Sequence, residues 1–375
     1  MRVAPRGGEA APLRRIDYVL LVTTLLISIG GVFAIRAAVA ADPSTRQFPE
    51  RQAAGVVIGL VVMLALAASD YLRLIPRIGR WAYWLNIAFL LLVVVHGHSS
   101  HGAQRWIPIG PLQFQPSEFA KFAIILSLAL YLTERRKRIQ QWSTLWGSLG
   151  MIIVPVALIF KQPDLGTALV ILTVWLGMVF IAGARWQHLA VIVAGGVGLF
   201  AIIWNTPLVK PYQKQRIVSF INPAADPRDT GYHLLQSEIA IGSGQITGEG
   251  YLRGMQAAGR FIPEQHTDFI FTIVGEEFGL VGCCILIGLY GLLLARCLAV
   301  LIRADNLLGR LLIAGVVAML SFHIVVNIGM TIGLLPVTGV PLPFFSYGLS
   351  ALIVGMAGIG LVMSVAARQV ERLFR

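Results

Sequence analysis

The stretch that decides the fold is TIVGEEFGLVGCCILIGLYGLLLA, Thr272 to Ala295. From Phe278 to Ala295 it holds no charged residue. An uncharged apolar run of about 18 residues or more is long enough to cross a bilayer as a helix. Directly before it stands PEQHTDFIF, Pro263 to Phe271, which sets Glu264, His266, Thr267 and Asp268 at the lip of the apolar run. Working outward, similar runs recur along the chain. Helices are predicted over roughly Ile16–Ile35, Ala53–Ala68, Arg80–Val95, Phe119–Leu132 and Leu145–Ile159. They continue over Leu165–Ile181, His188–Trp204, Ile270–Leu294, Leu311–Ile332 and Tyr347–Ala366, about ten in all. The second, fourth and fifth are short, as expected of tilted or broken spans.

Composition agrees. The 375 residues are 57% hydrophobic and only 13% charged, against about 25% charged in a soluble domain. The expected fold is an all-α integral membrane protein, a single polytopic membrane domain over residues 1–375. The net charge of +12 would suggest nucleic acid in a soluble protein. Here it follows the positive-inside rule. With the N-terminus inside, the cytoplasmic side receives Arg14, Arg15, Arg73, Arg77, Arg80, Arg135–Arg138, Arg185, Arg296, Arg303 and Arg310. Both tails, 1–15 and 367–375, are then cytoplasmic. No basic cluster interleaves with aromatics on a soluble segment, so no nucleic-acid partner is expected. The basic N-terminus lacks a small-residue cleavage site and reads as the start of a first span, not a signal peptide. Cys283, Cys284 and Cys297 lie in one apolar run without metal-binding spacing.

One connection is long. Residues 205–269 form a large extracytoplasmic loop between the seventh and eighth helices, and loops beyond about 15 residues are usually functional or disordered. Within it GYHLLQSEIAIGSG, Gly231 to Gly244, reads as a short amphipathic helix, so the loop is expected to be ordered and partly embedded. No internal repeat supports an inverted-repeat transporter.

Polar residues in or beside spans are costly and, when present, usually face a cavity. Glu118 and Lys121 in QPSEFAK are three apart on one helical face, as a structural ion pair or as part of a polar cavity. Asp164 in KQPDLGTAL is an N-cap candidate for the sixth helix that can also face such a cavity. In GAQRWIPIG, Arg105 and Trp106 read as an interfacial anchor or as a phosphate-binding site, and Arg51 carries the same two readings. The three histidines of HGHSSH, His96, His98 and His101, are a weak metal candidate because no helix sets their spacing. Gly333, Pro336, Gly339, Pro341 and Pro343 predict an unwound stretch before the last helix, tolerated at membrane depth only where protein or water surrounds it. Cations gathered in an outward cavity suit a diphosphate; carboxylates suit acid–base work or a bound divalent cation.

These motifs resemble a known family. GAQRWIPIG, FQPSEFAK, QPDLGTAL, YQKQRIVSFINP, GYHLLQSEIAIGSG, FIPEQHTDFIFTIVGEEFGLVG and NIGMTIGLLPVTGVPLPFFSYG resemble the SEDS family (shape, elongation, division and sporulation), in family order and over nearly the whole chain. The wording is closer to the elongation branch, RodA type, than to the division branch, FtsW type. The resemblance implies a peptidoglycan glycosyltransferase that polymerises lipid II at the outer face of the bacterial inner membrane during elongation and rod-shape maintenance. It implies ten spans and, as partners, a class B penicillin-binding protein transpeptidase and the elongation machinery. The family's essential loop aspartate falls on Asp268, expected as the catalytic base. Its polar fourth-helix residues fall on Glu118 and Lys121, its turn aspartate on Asp164, and its loop arginines resemble Arg51, Arg105 and Arg216. Trp106, Gln115, Gln236, His266, Ser346 and Tyr347, in the same motifs, complete the substrate-binding candidates. A divalent cation, Mg or Mn, is a candidate cofactor. Two departures stand out: SYGLSA, with Leu349 and Ala351, replaces the usual SYGGSS, and Gln245 follows Gly244 where a glycine is usual.

In the expected reaction Asp268 takes the proton of the acceptor sugar's 4-hydroxyl, which attacks the donor's anomeric carbon with inversion as the lipid diphosphate leaves. A general base supplies about 10²–10⁴-fold, so positioning and charge stabilisation must supply the rest. The plain structural alternative makes Thr267 and Asp268 the cap of the eighth helix. Two other functions compete: a lipid II flippase, which needs polar groups through the midplane, and a scaffold that only positions the transpeptidase.

Overall fold

In this computed structural model the described residues are 16–96, 98–100, 103–109, 112–204, 206, 209, 211–222 and 230–373. Seven long helices come first: α1 (Tyr18–Ala38), α2 (Phe48–Ala68), α3 (Tyr71–His96), α4 (Pro116–Glu134), α5 (Trp142–Lys161), α6 (Leu165–Ala182) and α7 (Trp186–Ile203). Three short helices follow, α8 (Pro211–Ile221), α9 (Thr230–Ser243) and α10 (Met255–Gly259). The chain closes with α11 (Ile270–Arg303), α12 (Leu307–Thr331) and α13 (Leu349–Leu373). Ten of these, all but α8 to α10, are long and apolar enough to cross a membrane. The protein is therefore a multi-pass membrane protein. The end of the bundle that carries α8 to α10 is called the loop face below. The cytoplasmic N-terminal tail proposed for residues 1–15 lies outside the described residues, as do Phe374 and Arg375 at the other end.

The second, fourth and fifth spans are not short: α2 has 21 residues, α4 has 19 and α5 has 20. Their polar ends belong to the helix. α2 opens with Pro49 and Glu50 and α4 with Pro116 and Glu118, and proline with an acidic first turn suits an N-terminus. α3 likewise starts at Tyr71, well before Arg80. Tyr71 and Ile75 face inward while Arg73, Arg77 and Arg80 stay exposed. A small antiparallel sheet, β1 (His98–Ser100), β2 (Ala103–Ile109) and β3 (Leu112–Phe114), joins α3 to α4 where the sequence reading expects loop. Hydropathy over span-length windows does not register strands this short.

α4 is the central span. It packs against α3, α5, α6, α12 and α13, and 78% of its apolar window is buried within the protein, against 6% for α7 at the periphery. α2 and α13 meet along a glycine seam. Gly55 and Gly59 face Leu349 and Met356, and Gly360 faces the backbone of Met63. Small residues at this spacing let two helices approach closely in lipid.

α11 is broken at Gly279, whose backbone leaves the helical region (φ 62°, ψ −160°). In an unbroken helix Leu280 and Val281 would donate to the carbonyls of Glu276 and Glu277. Instead the segment before α10 lies between them. Glu249 and Gly250 donate to the carbonyls of Glu276 (2.9 Å) and Glu277 (3.1 Å), and Leu280 and Val281 donate to those of Gln245 (2.9 Å) and Ile246 (3.1 Å). The fit requires glycine at 244, where a Cβ would sit 1.9 Å from the Gly275 carbonyl oxygen. Gln245 sits at φ 48°, left-handed backbone that costs a side-chain-bearing residue about 1 kcal/mol or more. This accounts for the glycine usual at that place.

Candidate active site

Asp268 lies in the turn before α11, half-buried. Its amide donates to the Glu264 carbonyl (3.1 Å), and its own carbonyl accepts from Asn327 Nδ2 (2.8 Å). The carboxylate rests against the turn at Gly339 (φ 71°), where a Cβ would come within 3.2 Å of Oδ2. The cap position of α11 is Phe269, with no side-chain cap bond. Thr267 turns its hydroxyl to the Glu264 carbonyl (2.9 Å). The capping alternative for Thr267 and Asp268 is therefore not the arrangement adopted.

The stretch Gly333 to Gly348 is non-helical and packed inside protein, with Val340, Leu342, Phe344 and Ser346 all buried. Asn327 Nδ2 also donates to the Val340 carbonyl (2.7 Å). Arg216, from α8, donates to the Thr338 carbonyl (3.1 Å), one residue before Gly339. Ser346 takes the Leu342 amide on its hydroxyl (2.8 Å), and its carbonyl accepts from Gln52 (3.0 Å). It thus latches the loop to α2. Tyr347 donates its amide to the His266 carbonyl (2.9 Å), and its ring stacks on Phe48 at 4.4 Å. The His266 ring is 5.1 Å from Phe48 and 5.7 Å from Tyr347. Burial pulls the His266 imidazole below its ordinary value, opposed by the carboxylates of Glu264 and Asp42.

Beneath this surface lies a buried ionic group. Lys121 Nζ donates to Glu118 Oε1 at 2.7 Å, and the two residues are 1% and 5% exposed. Lys121 Nζ is also 3.1 Å from His323 Nε2. Glu118, Lys121, His323, Pro341 and Ser346 line a cavity with about 20 Å³ of water-accessible space, room for a water or two and not for a sugar. Asp164 caps α6, accepting from the amide (3.1 Å) and hydroxyl (3.0 Å) of Thr167, and lies 3.4 Å from the Ser117 hydroxyl. Gln115 bonds the same hydroxyl through its side chain (3.1 Å) and the Ser350 hydroxyl through its amide (3.2 Å).

The structure therefore brings Asp268 and Arg216 to the loop Gly333–Gly348 at Thr338 and Gly339 and His266 to its Tyr347, and sets Glu118, Lys121 and Ser346 around the small cavity beside the same loop. The remaining candidates sit as follows. Arg51 is exposed and turns to Gln47 (2.9 Å). Gln236 is half-buried on α9 and Trp106 half-buried in β2. The side chain of Arg105 lies outside the described residues, as do His101 and the side chains of His96 and His98. Among the described residues no three His, Cys, Asp or Glu side chains converge to hold a metal ion. His323, Asn327 and Gln52 were not singled out from sequence. The signal for two of them is plain: a histidine and an asparagine one turn apart inside an apolar span.

The FtsW/RodA/SpoVE family model, described as cell cycle protein, matches residues 17–371. The peptidoglycan glycosyltransferase MrdB of Escherichia coli K12 is 42% identical over 320 residues, covering 84% of this chain and 85% of the relative. A chain from a peptidoglycan synthase complex, described for its coordination of polymerization and crosslinking, superposes with a TM-score of 0.80 at 35% identity. That match covers 94% of this chain and 98% of the other. The rod shape determining protein RodA of Thermus thermophilus matches with a TM-score of 0.69 at 34% identity, covering 94% and 96%.

Proposed function

This chain belongs to the FtsW/RodA/SpoVE cell cycle proteins, the SEDS family, and on that premise we propose that it builds glycan strands from lipid II at the outer face of the bacterial inner membrane. It is a peptidoglycan glycosyltransferase of the elongation type, RodA rather than FtsW. Asp268 is the general base. It takes the proton of the acceptor's 4-hydroxyl as that oxygen bonds to the donor's anomeric carbon; the bond to the lipid diphosphate breaks, and the configuration inverts. Arg216 and other cations of the loop face stabilise the leaving diphosphate. A divalent cation enters this reading only as a companion of the diphosphate, and no step depends on it.

The observation that carries the reading is the setting of Asp268. Its backbone is held on both sides, by Glu264 and Asn327, while the residue stays only half-buried, with its carboxylate against Gly339. Such a residue is preorganised and still within reach of a substrate. Against a flippase stands the apolar middle of the bundle. Ile124, Ile125 and Leu128 of α4 and Leu312, Ile313 and Val316 of α12 are buried below the polar group, apolar packing that suits a site open to one side more than a path through the bundle. A class B penicillin-binding protein and the elongation machinery are the proposed partners, in keeping with the synthase complex to which the chain is similar.

The test is polymerisation of lipid II by purified protein. Asp268→Ala and Asp268→Asn are expected to insert and melt like wild type and to lose strand synthesis by about 10² or more. Normal polymerisation by either variant would sink the assignment. Lipid II supplied only on the outer side of vesicles distinguishes the enzyme from a carrier.

A further inference from the structure

His323 and Asn327 stand four residues apart on α12, one above the other on a single face. Both are buried, at 5% and 0% exposure. Each holds one of two successive carbonyls of the non-helical loop: Asn327 Nδ2 donates to Val340 O (2.7 Å), and His323 Nδ1 meets Pro341 O (3.0 Å). Each also reaches a second partner. Asn327 holds the Asp268 carbonyl (2.8 Å), and His323 Nε2 meets Lys121 Nζ (3.1 Å). Two side chains of one helix thus bolt the same loop to the aspartate on one side and to the buried ammonium on the other.

The partners decide the tautomer. The Pro341 carbonyl can only accept, so Nδ1 carries the hydrogen. Nε2 is then a lone pair, and the Lys121 ammonium donates to it. Two of the three Lys121 donors are therefore taken, one by Glu118 and one by His323. Removing His323 would free the ammonium to swing about its stem and would free the Pro341 carbonyl from α12. Two residues before Pro341 the chain makes the turn at Gly339, against which the Asp268 carboxylate rests.

We propose that His323 is a positioning residue of the glycosyl transfer. It accepts from Lys121 through Nε2 and donates to Pro341 through Nδ1, and so fixes Lys121 and the Gly339 turn in register with Asp268. It touches no reacting atom. The inference rests on the reading of Asp268 above. Its size follows from the geometry: a shift of about 1 Å at a reacting group can cost about 10²-fold.

Three variants of the full-length protein separate the two bonds. His323→Asn retains a donor near the Nδ1 position and loses the reach to Lys121. His323→Gln retains an acceptor near the Nε2 position and loses the donor to Pro341. His323→Leu loses both. With lipid II as substrate, kcat is expected to fall about tenfold in the Asn and Gln variants and about a hundredfold in the Leu variant. KM should stay within about threefold and melting temperatures should remain close together. If kcat simply follows the melting temperature, with Asn and Gln no better than Leu, the role is structural and the proposal is overturned. A kcat within about twofold of wild type in the Asn and Gln variants overturns it too, even should the Leu variant fail to fold. Asp268→Ala runs alongside. If that variant polymerises, the active-site reading has failed; if it is inactive while His323→Leu is active, only the positioning role has failed.

Discussion

Glu118 and Lys121 show how far a single charge can be taken from water when its partner is fixed. Removing one member of such a buried pair typically costs about 3–5 kcal/mol, because the other is left uncompensated. Lys121→Met should therefore lower the thermal stability sharply, and adding Glu118→Gln should recover most of the loss. Melting curves of the single and double variants measure this. The double variant also separates the two readings of the pair: a purely structural bridge regains polymerisation together with stability, whereas a pair needed for transfer regains stability alone. His266 gives a pH dependence. Its folded value lies below the ordinary one because burial disfavours the imidazolium. Below about pH 6.5 the unfolded chain therefore binds more protons at this site than the folded chain. The contribution is fully present above that value and is lost as pH falls toward the folded value. Melting temperature measured from pH 8 down to 5 should drop less steeply for His266→Gln than for wild type.

Among elements, the α2–α13 seam makes a graded prediction. A Cβ at Gly59 would meet the end of the flexible Met356 side chain, which can turn aside, while a Cβ at Gly360 would meet the Met63 carbonyl oxygen at 2.5 Å. Gly360→Ala should therefore destabilise by about 1–3 kcal/mol and Gly59→Ala by clearly less, as read by thermal melting in detergent. The spans were legible because apolar length alone sets them. Their polar first turns were less so, since Pro49–Arg51 and Arg73–Gly79 read as loop when hydropathy is the only guide. The sheet between α3 and α4 escaped for the same reason.

At the scale of the whole molecule, α4 sits at the centre and α7 at the edge, and the candidate site lies where α4, α11, α12 and the loop Gly333–Gly348 meet. Asp268, Glu118, Lys121 and Asp164 could be picked out as charges beside apolar runs, and the family motifs gave them roles. Arg51, Gln236 and Trp106 came from the same motifs; they lie on α2, α9 and β2, Arg51 exposed and the other two half-buried. The clasp made by His323 and Asn327 depends on which carbonyls of a proline-rich loop come to face α12, and that register belongs to packing, not to composition. The break at Gly279 was equally hidden, because glycine is common inside apolar spans. It bears on how the protein is made. In its broken form α11 leaves two amides and two carbonyls unmatched within the helix, each costing several kcal/mol if left bare in hydrocarbon. Gln245–Gly250 matches all four, and that segment is synthesised first. Without the long loop the helix behind it can close the same bonds on itself, so the loop acts as an internal template that holds the break open.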